Sequence, residues 1–167
     1  MSAPAALVRF LEPWAHLYSN SKVIPTVVLF AHIAALVFAG GLAVTLDRAT
    51  LRAARGPAEL RAQQLGELAA AHRLVLSGLA LSFVSGVLLF TADVETFFVS
   101  WIWWTKATLI VLLLANGYMM TRSEARVRSA PAAASDVAWT RLRTTAMASF
   151  VLWFAIALAG VALVNAG

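Results

Sequence analysis

The sequence predicts an all-α fold, an integral membrane four-helix bundle with an N-terminal interfacial amphipathic helix, and three observations predict it. Four apolar stretches, at about 23–46, 68–92, 99–120 and 144–165, each reach or exceed the roughly 20 residues that a helix needs to cross a hydrocarbon core about 30 Å thick. Only 13% of the residues are charged while 61% are hydrophobic, against about 25% charged in a soluble domain. The arginines also fall in alternate loops, as they do in membrane proteins. The chain therefore reads as a single membrane domain over 1–167, with nothing left over for a soluble one.

The first element is an amphipathic helix at about 4–18. Leu7, Phe10, Leu11, Trp14, Leu17 and Tyr18 recur at helical spacing on one face, as expected of a helix lying in the membrane interface. Pro13 is expected to interrupt it, because proline donates no hydrogen bond to the preceding turn. No basic start leads into a continuous apolar core, so this segment does not read as a signal peptide. His16 is read as headgroup-facing or solvated, with a ligand role as the alternative.

Ser19, Asn20 and Ser21 supply capping oxygens for the first crossing helix. Helical sequence continues through ATLRAAR until Gly56 and Pro57 break it. The second long helix starts from about Ala58 and carries Gly78, Ser82, Ser85 and Gly86 close to one face, where small residues let helices approach. The loop from Asp93 to Phe98 carries only acids. The third helix opens with Trp101, Ile102, Trp103 and Trp104, an aromatic belt at an interface. Residues 129–138 read as a flexible linker of alanine, serine and proline, and the fourth helix places Ser149, Trp153, Ala157 and Gly160 on one stripe.

Arg48, Arg52, Arg55 and Arg61 lie between the first and second crossings, and Arg122, Arg126, Arg128, Arg141 and Arg143 between the third and fourth. Positive charge stays in the cytoplasm, so both termini and the short acidic loop are expected outside a bacterial inner membrane. The net charge of +5 is thus a topology signal, and no basic groove for nucleic acid is expected. The lipid bilayer is the expected partner, with a homo-oligomer or a larger membrane complex as a possibility. The absence of cysteine excludes disulfides, iron–sulfur clusters and thiolate metal sites.

Chemistry is expected where ionisable groups lie at membrane depth, since they are costly there. Counting ~1.5 Å per residue from the expected outer ends puts His32 about 14 Å inward, Lys106 about 10 Å and His72 about 30 Å. His32 and His72 are therefore poor candidates for the two axial ligands of one haem, while His32 and Lys106 share a depth. Ala35, Ala39 and Ala43 follow His32 at helical spacing, which predicts that His32 faces the bundle interior. It is then either a metal-ligating or proton-relay group, or a histidine hydrogen-bonded to the next helix. Lys106 either snorkels outward past Trp103 and Trp104 or faces the bundle and pairs with an anion, such as a cofactor propionate, Asp93 or Glu95. His72 and Arg73 either meet a lipid phosphate, bind a propionate or ligate a second haem. Met119, Met120 and Met147 are expected to be core packing, with copper(I) ligation as the alternative.

The motifs FAHIAALVFAGG, SGLALSFVSGVLLF and WIWWTKATLIVLLL resemble four-helix bacterial membrane proteins related to the membrane protoporphyrinogen oxidase family and to copper-resistance D-type proteins. The resemblance spans about residues 23–120 and implies b-type haem or porphyrin handling, with His32 matching the first-helix histidine and Lys106 the third-helix lysine. The chain departs from the oxidase family at WTRLRTTAMASF, where that family carries an Arg, Asn-Glu and Pro signature, so porphyrinogen oxidation itself does not transfer. The "HR" opening of the second helix, His72-Arg73, likens the chain more to an uncharacterised cousin. The expectation is a haem b protein of membrane redox chemistry, with His32 as metal ligand and Lys106, Trp103, Trp104, His72 and Arg73 around the cofactor. The alternatives are a non-catalytic transmembrane subunit and copper transport.

Overall fold

A computed structural model describes residues 3–129, 131 and 135–166. Among these residues there are six helices and no strand: α1 Ala5–Asn20, α2 Val23–Ala53, α3 Ala58–Ala92, α4 Val94–Val99, α5 Trp101–Ser129 and α6 Ser135–Ala166. Four of them, α2, α3, α5 and α6, are long and apolar enough to cross a membrane. At 1.5 Å per residue the 31 residues of α2 extend about 46 Å. The long helices thus overrun a 30 Å core, and the polar last turns of α2 and α5 and first turns of α3 and α6 extend past it at the arginine-rich end.

Local sequence accounts for the element boundaries. The Ser21 hydroxyl accepts from the amides of Val23 and Ile24, both at 3.2 Å, and so starts α2. Between α2 and α3 the chain turns at Gly56 and Pro57. The acidic stretch expected to be a loop is the short helix α4, because the Asp93 carboxylate caps it by accepting from the Thr96 amide at 3.3 Å. Ser100 does the same for α5 through the Trp103 amide. The expected linker over 129–138 is shorter than its composition suggests. Helix α5 runs to Ser129 and α6 starts at Ser135, while residues 130 and 132–134 lie outside the described residues.

Pro13 does not interrupt α1, which is helical from Ala5 to Asn20 with Pro13 inside. A proline removes one hydrogen bond to the carbonyl four residues earlier, and that residue, Arg9, lies on an exposed face where its carbonyl can be solvated. The helix is fixed to the bundle through Trp14, whose indole N–H donates to the Leu88 carbonyl of α3 at 3.1 Å.

The bundle is built from two tight pairs, α2 with α3 and α5 with α6, joined through α2 and α6. Small residues set each close approach. A Cβ at Gly78 of α3 would lie 2.8 Å from the Ala39 Cβ of α2, and one at Gly40 of α2 would lie 3.0 Å from the Trp153 ring of α6. Between α5 and α6, the buried Asn116 side chain donates to the Thr145 carbonyl at 3.0 Å. One core cluster, Ala39, Ala43, Leu113, Trp153 and Ile156, joins α2, α5 and α6 at mid-height. A second, which includes Ala53, Leu68, Val127, Trp139 and Leu142, closes the arginine-rich end. Large residues such as Phe30, Val37, Phe83 and Leu158 face outward, where lipid suits them.

Helices α3 and α5 do not pack along their length. Their contacts include one at each end. At the tryptophan-rich end Phe90 stacks on Trp103 with ring centroids 4.4 Å apart. At the arginine-rich end the Arg128 guanidinium donates to the Leu65 carbonyl. The space between these contacts is a lateral window in the bundle wall.

Candidate functional site

Two polar centres lie inside the bundle, one in each half. The first is His32 on α2, half-buried beneath the tryptophan-rich end. Its Nδ1 lies 3.0 Å from the Ser82 carbonyl oxygen and 3.1 Å from the Ser85 hydroxyl of α3. A carbonyl only accepts, so the network assigns the ring hydrogen to Nδ1 and leaves the lone pair on Nε2. Ser85 is consistent with this assignment, since its hydroxyl donates to the Leu81 carbonyl at 2.7 Å and keeps a lone pair for Nδ1. The ring sits over Gly86, where a Cβ would lie 3.2 Å from Cε1. Glycine there leaves room for the imidazole.

The Ala35, Ala39 and Ala43 stripe below His32 is buried, and α3 fills the space beside it with Gly78 against Ala39. The α2–α3 contact leaves no room for a flat macrocycle. A planar cofactor would have to reach His32 from the side of α5 and α6.

Lys106 of α5 is half-buried and its ammonium lies toward α6, where a Cβ at Gly160 would be 3.6 Å from Nζ. The ion pairs among the described residues are Arg61 with Asp136 and Arg128 with Glu124, so Lys106 pairs with neither Asp93 nor Glu95. Trp103 stacks on Phe90 and meets Trp104 edge to face with centroids 4.7 Å apart. The Trp104 indole donates to the Phe98 carbonyl at 2.9 Å. These rings roof the His32 half of the bundle.

His72 and Arg73 lie elsewhere. Both are exposed on α3, nearly three helical turns from Ser82, and His72 borders the second polar centre. That centre is a cleft of about 330 Å³ opening through the window between α3 and α5. Val75 and Leu79 form one wall, Leu113 and Gly117 the other, and Asp47 and Ser149 lie at its floor.

Asp47 is only 2% exposed, and its Oδ2 is buried with no hydrogen-bond partner. Ser149 of α6 lies beside it on the cleft floor. Glu124, at the cleft's far edge, is matched by Arg128 at 2.7 Å, whereas Asp47 has no cation opposite it. The first crossing expected from the sequence ends at about residue 46, which leaves Asp47 just outside it. The available signal was its register: Asp47 follows Ala35, Ala39 and Ala43 at four-residue intervals and continues their buried stripe.

Met119 and Met147, expected as core packing, are 58% and 48% exposed. On a lipid-facing surface an unbranched thioether is as much at home as leucine, so burial is not required of it. Among the described residues no three His, Asp or Glu side chains converge on a point that would hold a metal ion. His16 is exposed and pairs with Asn20 at 2.9 Å. No family model, curated protein or solved structure matches the chain.

Proposed function

We propose that this chain is a multi-pass protein of the bacterial cytoplasmic membrane that binds a b-type haem through His32 and takes part in membrane redox or porphyrin chemistry. Its arginine-rich end faces the cytoplasm and both termini face outward, in accord with the charge asymmetry of the loops. The observation that carries the haem reading is the state of the His32 ring. Nδ1 is tied to the Ser82 carbonyl, which fixes the tautomer and turns Nε2 into a neutral, oriented donor, the arrangement that metal-ligating histidines use.

The surrounding residues fit such a group in two respects. The Lys106 ammonium, without an acid of its own, suits a carboxylate substituent of the ring. Trp103 and Phe90 keep water from above. A bound haem iron would supply one-electron chemistry. The protein's part is to hold Nε2 in place, neutralise an acidic substituent and exclude water.

A second reading rests on the same hydrogen bonds. Ser82 and Ser85 join α2 to α3 through His32, as polar residues do when they serve only to hold membrane helices together. In that case the chain is a non-catalytic subunit. The absorption spectrum of protein purified from haem-supplemented cells separates the two. The haem reading expects a Soret band that His32→Ala abolishes and His72→Ala retains. A folded, colourless wild-type protein that takes up no haem on titration would establish the architectural reading.

A further inference from the structure

The cleft between α3 and α5 is separate from the His32 centre and has its own unmet chemistry. Its walls are apolar and Asp47 lies at its floor, with one carboxyl oxygen, Oδ2, that accepts no hydrogen bond. A buried polar atom without a partner is costly, and more so when the group can carry charge. A ligand that donates a hydrogen bond at this point removes that cost. At about 330 Å³ the space is at the lower end of small-molecule sites, roughly 300–1,000 Å³. It takes one ring with short substituents and is too small for a macrocycle.

Charge and access narrow the ligand further. Arg48, Arg73 and Arg122 adjoin the lining residues Asp47, His72 and Thr121 in sequence, and positive charge there disfavours an organic cation. A metal ion finds no set of three His, Asp or Glu ligands among the described residues. The window opens sideways, between the Phe90 and Trp103 contact and the Arg128 and Leu65 contact, so the entry route runs through the hydrocarbon layer. A neutral donor dissolved in lipid satisfies all three constraints.

We propose that this cleft binds a neutral, lipid-soluble ring compound bearing a hydroxyl head, of the hydroquinone class, whose O–H donates to Asp47 while its ring lies between Leu79 and Leu113. The head group's second oxygen meets hydrogen-bonding side chains at the rim, where His72 and Thr121 line the cleft. The proposal concerns binding alone and does not depend on a haem at His32.

The test is calorimetric titration of decylubiquinol, kept reduced under argon, into protein in lipid nanodiscs, with empty nanodiscs subtracted. Saturable binding with one site per chain is expected. Asp47→Ala is expected to weaken it at least about tenfold, the usual consequence of losing a hydrogen bond to a carboxylate. Gly117→Leu narrows the mouth without touching Asp47, and a side chain there meets open space. This variant folds on packing grounds and is expected to weaken binding comparably. His32→Ala is expected to bind as wild type does.

Non-saturable partitioning that is the same in wild type, Asp47→Ala and Gly117→Leu overturns the proposal. So does displacement of decylubiquinol by tetraphenylphosphonium at equal concentration, which would assign the cleft to cations. Loss of binding in folded His32→Ala with Asp47→Ala unaffected would move the site to the His32 centre and likewise overturn it.

Discussion

The His32 centre and the Asp47 cleft are built from the same materials, one ionisable side chain of α2 in an apolar bundle, yet the two halves treat that side chain oppositely. Around His32 the neighbouring helix comes close, contributes a carbonyl and a hydroxyl, and the tryptophan-rich roof closes over it. Around Asp47 α3 and α5 stand apart, and one carboxyl oxygen goes without a partner. The glycines make the difference. Gly86 is pressed against His32 of α2, while Gly117 on the cleft wall meets nothing within 4 Å. Close packing supplies partners to polar groups in one half, and its absence in the other leaves both a space and an unmet hydrogen-bonding group.

Adding a methyl group at a packed glycine and at an open one breaks this contrast most sharply. Gly78→Ala places a Cβ 2.8 Å from the Ala39 Cβ, which belongs to a rigid helix and cannot move aside, so the pair must separate at a cost of about 1–3 kcal/mol. Gly117→Ala meets open space and gains helix propensity, so it is expected to be neutral or stabilising by up to about 1 kcal/mol. Unfolding in mixed micelles by added SDS measures both. Equal destabilisation by the two substitutions would mean that α5 is as tightly enclosed as α3.

How far these halves were legible in the sequence follows from the range of the information each needs. The inward direction of His32 was readable from Ala35, Ala39 and Ala43 on its own helix. Small residues on α3 announced a close approach without naming their partners. Whether Lys106 turns outward or toward α6 depends on Gly160, a residue on another helix. The separation of α3 from α5 is a property of the whole arrangement, and no local pattern carries it. Asp47 was missed because an acid at the end of an apolar run, followed by Arg48, looks like a membrane boundary, although its register pointed inward. Pro13 misled for a different reason, since the cost of a missing backbone bond depends on whether the orphaned carbonyl can be solvated.

The bond between His32 and α3 is expected to be a smaller effect than the packing beneath it. Interhelical hydrogen bonds in membrane proteins contribute about 0.6 kcal/mol on average and about 1.7 at most. A double-mutant cycle on His32→Ala and Ser85→Ala should return a coupling in that range, with the Ser82 carbonyl continuing to hold the ring in Ser85→Ala. A coupling near zero would place the ordering of His32 on the carbonyl alone. A coupling of several kcal/mol would mark Ser85 as the main anchor of the centre.

The smallest effect is expected at the arginine-rich end, where charge is abundant and contributes little to stability. Arg61 donates to Asp136 at 2.9 Å and to the Ala54 carbonyl at 2.9 Å, and its guanidinium lies 5.4 Å from the centre of the Trp139 ring. The Asp136 side chain is 89% exposed, so water and salt screen the pair. Asp136→Ala removes one of three restraints and should change stability by less than about 0.5 kcal/mol, an effect that 0.5 M salt reduces further. The two apolar neighbours carry the weight there, because Leu142 is fully buried and Trp139 nearly so. A loss above about 1 kcal/mol in Asp136→Ala would show instead that this ion pair helps to hold α3 against α6, and that the cleft depends on a charged clamp as well as on the apolar cluster.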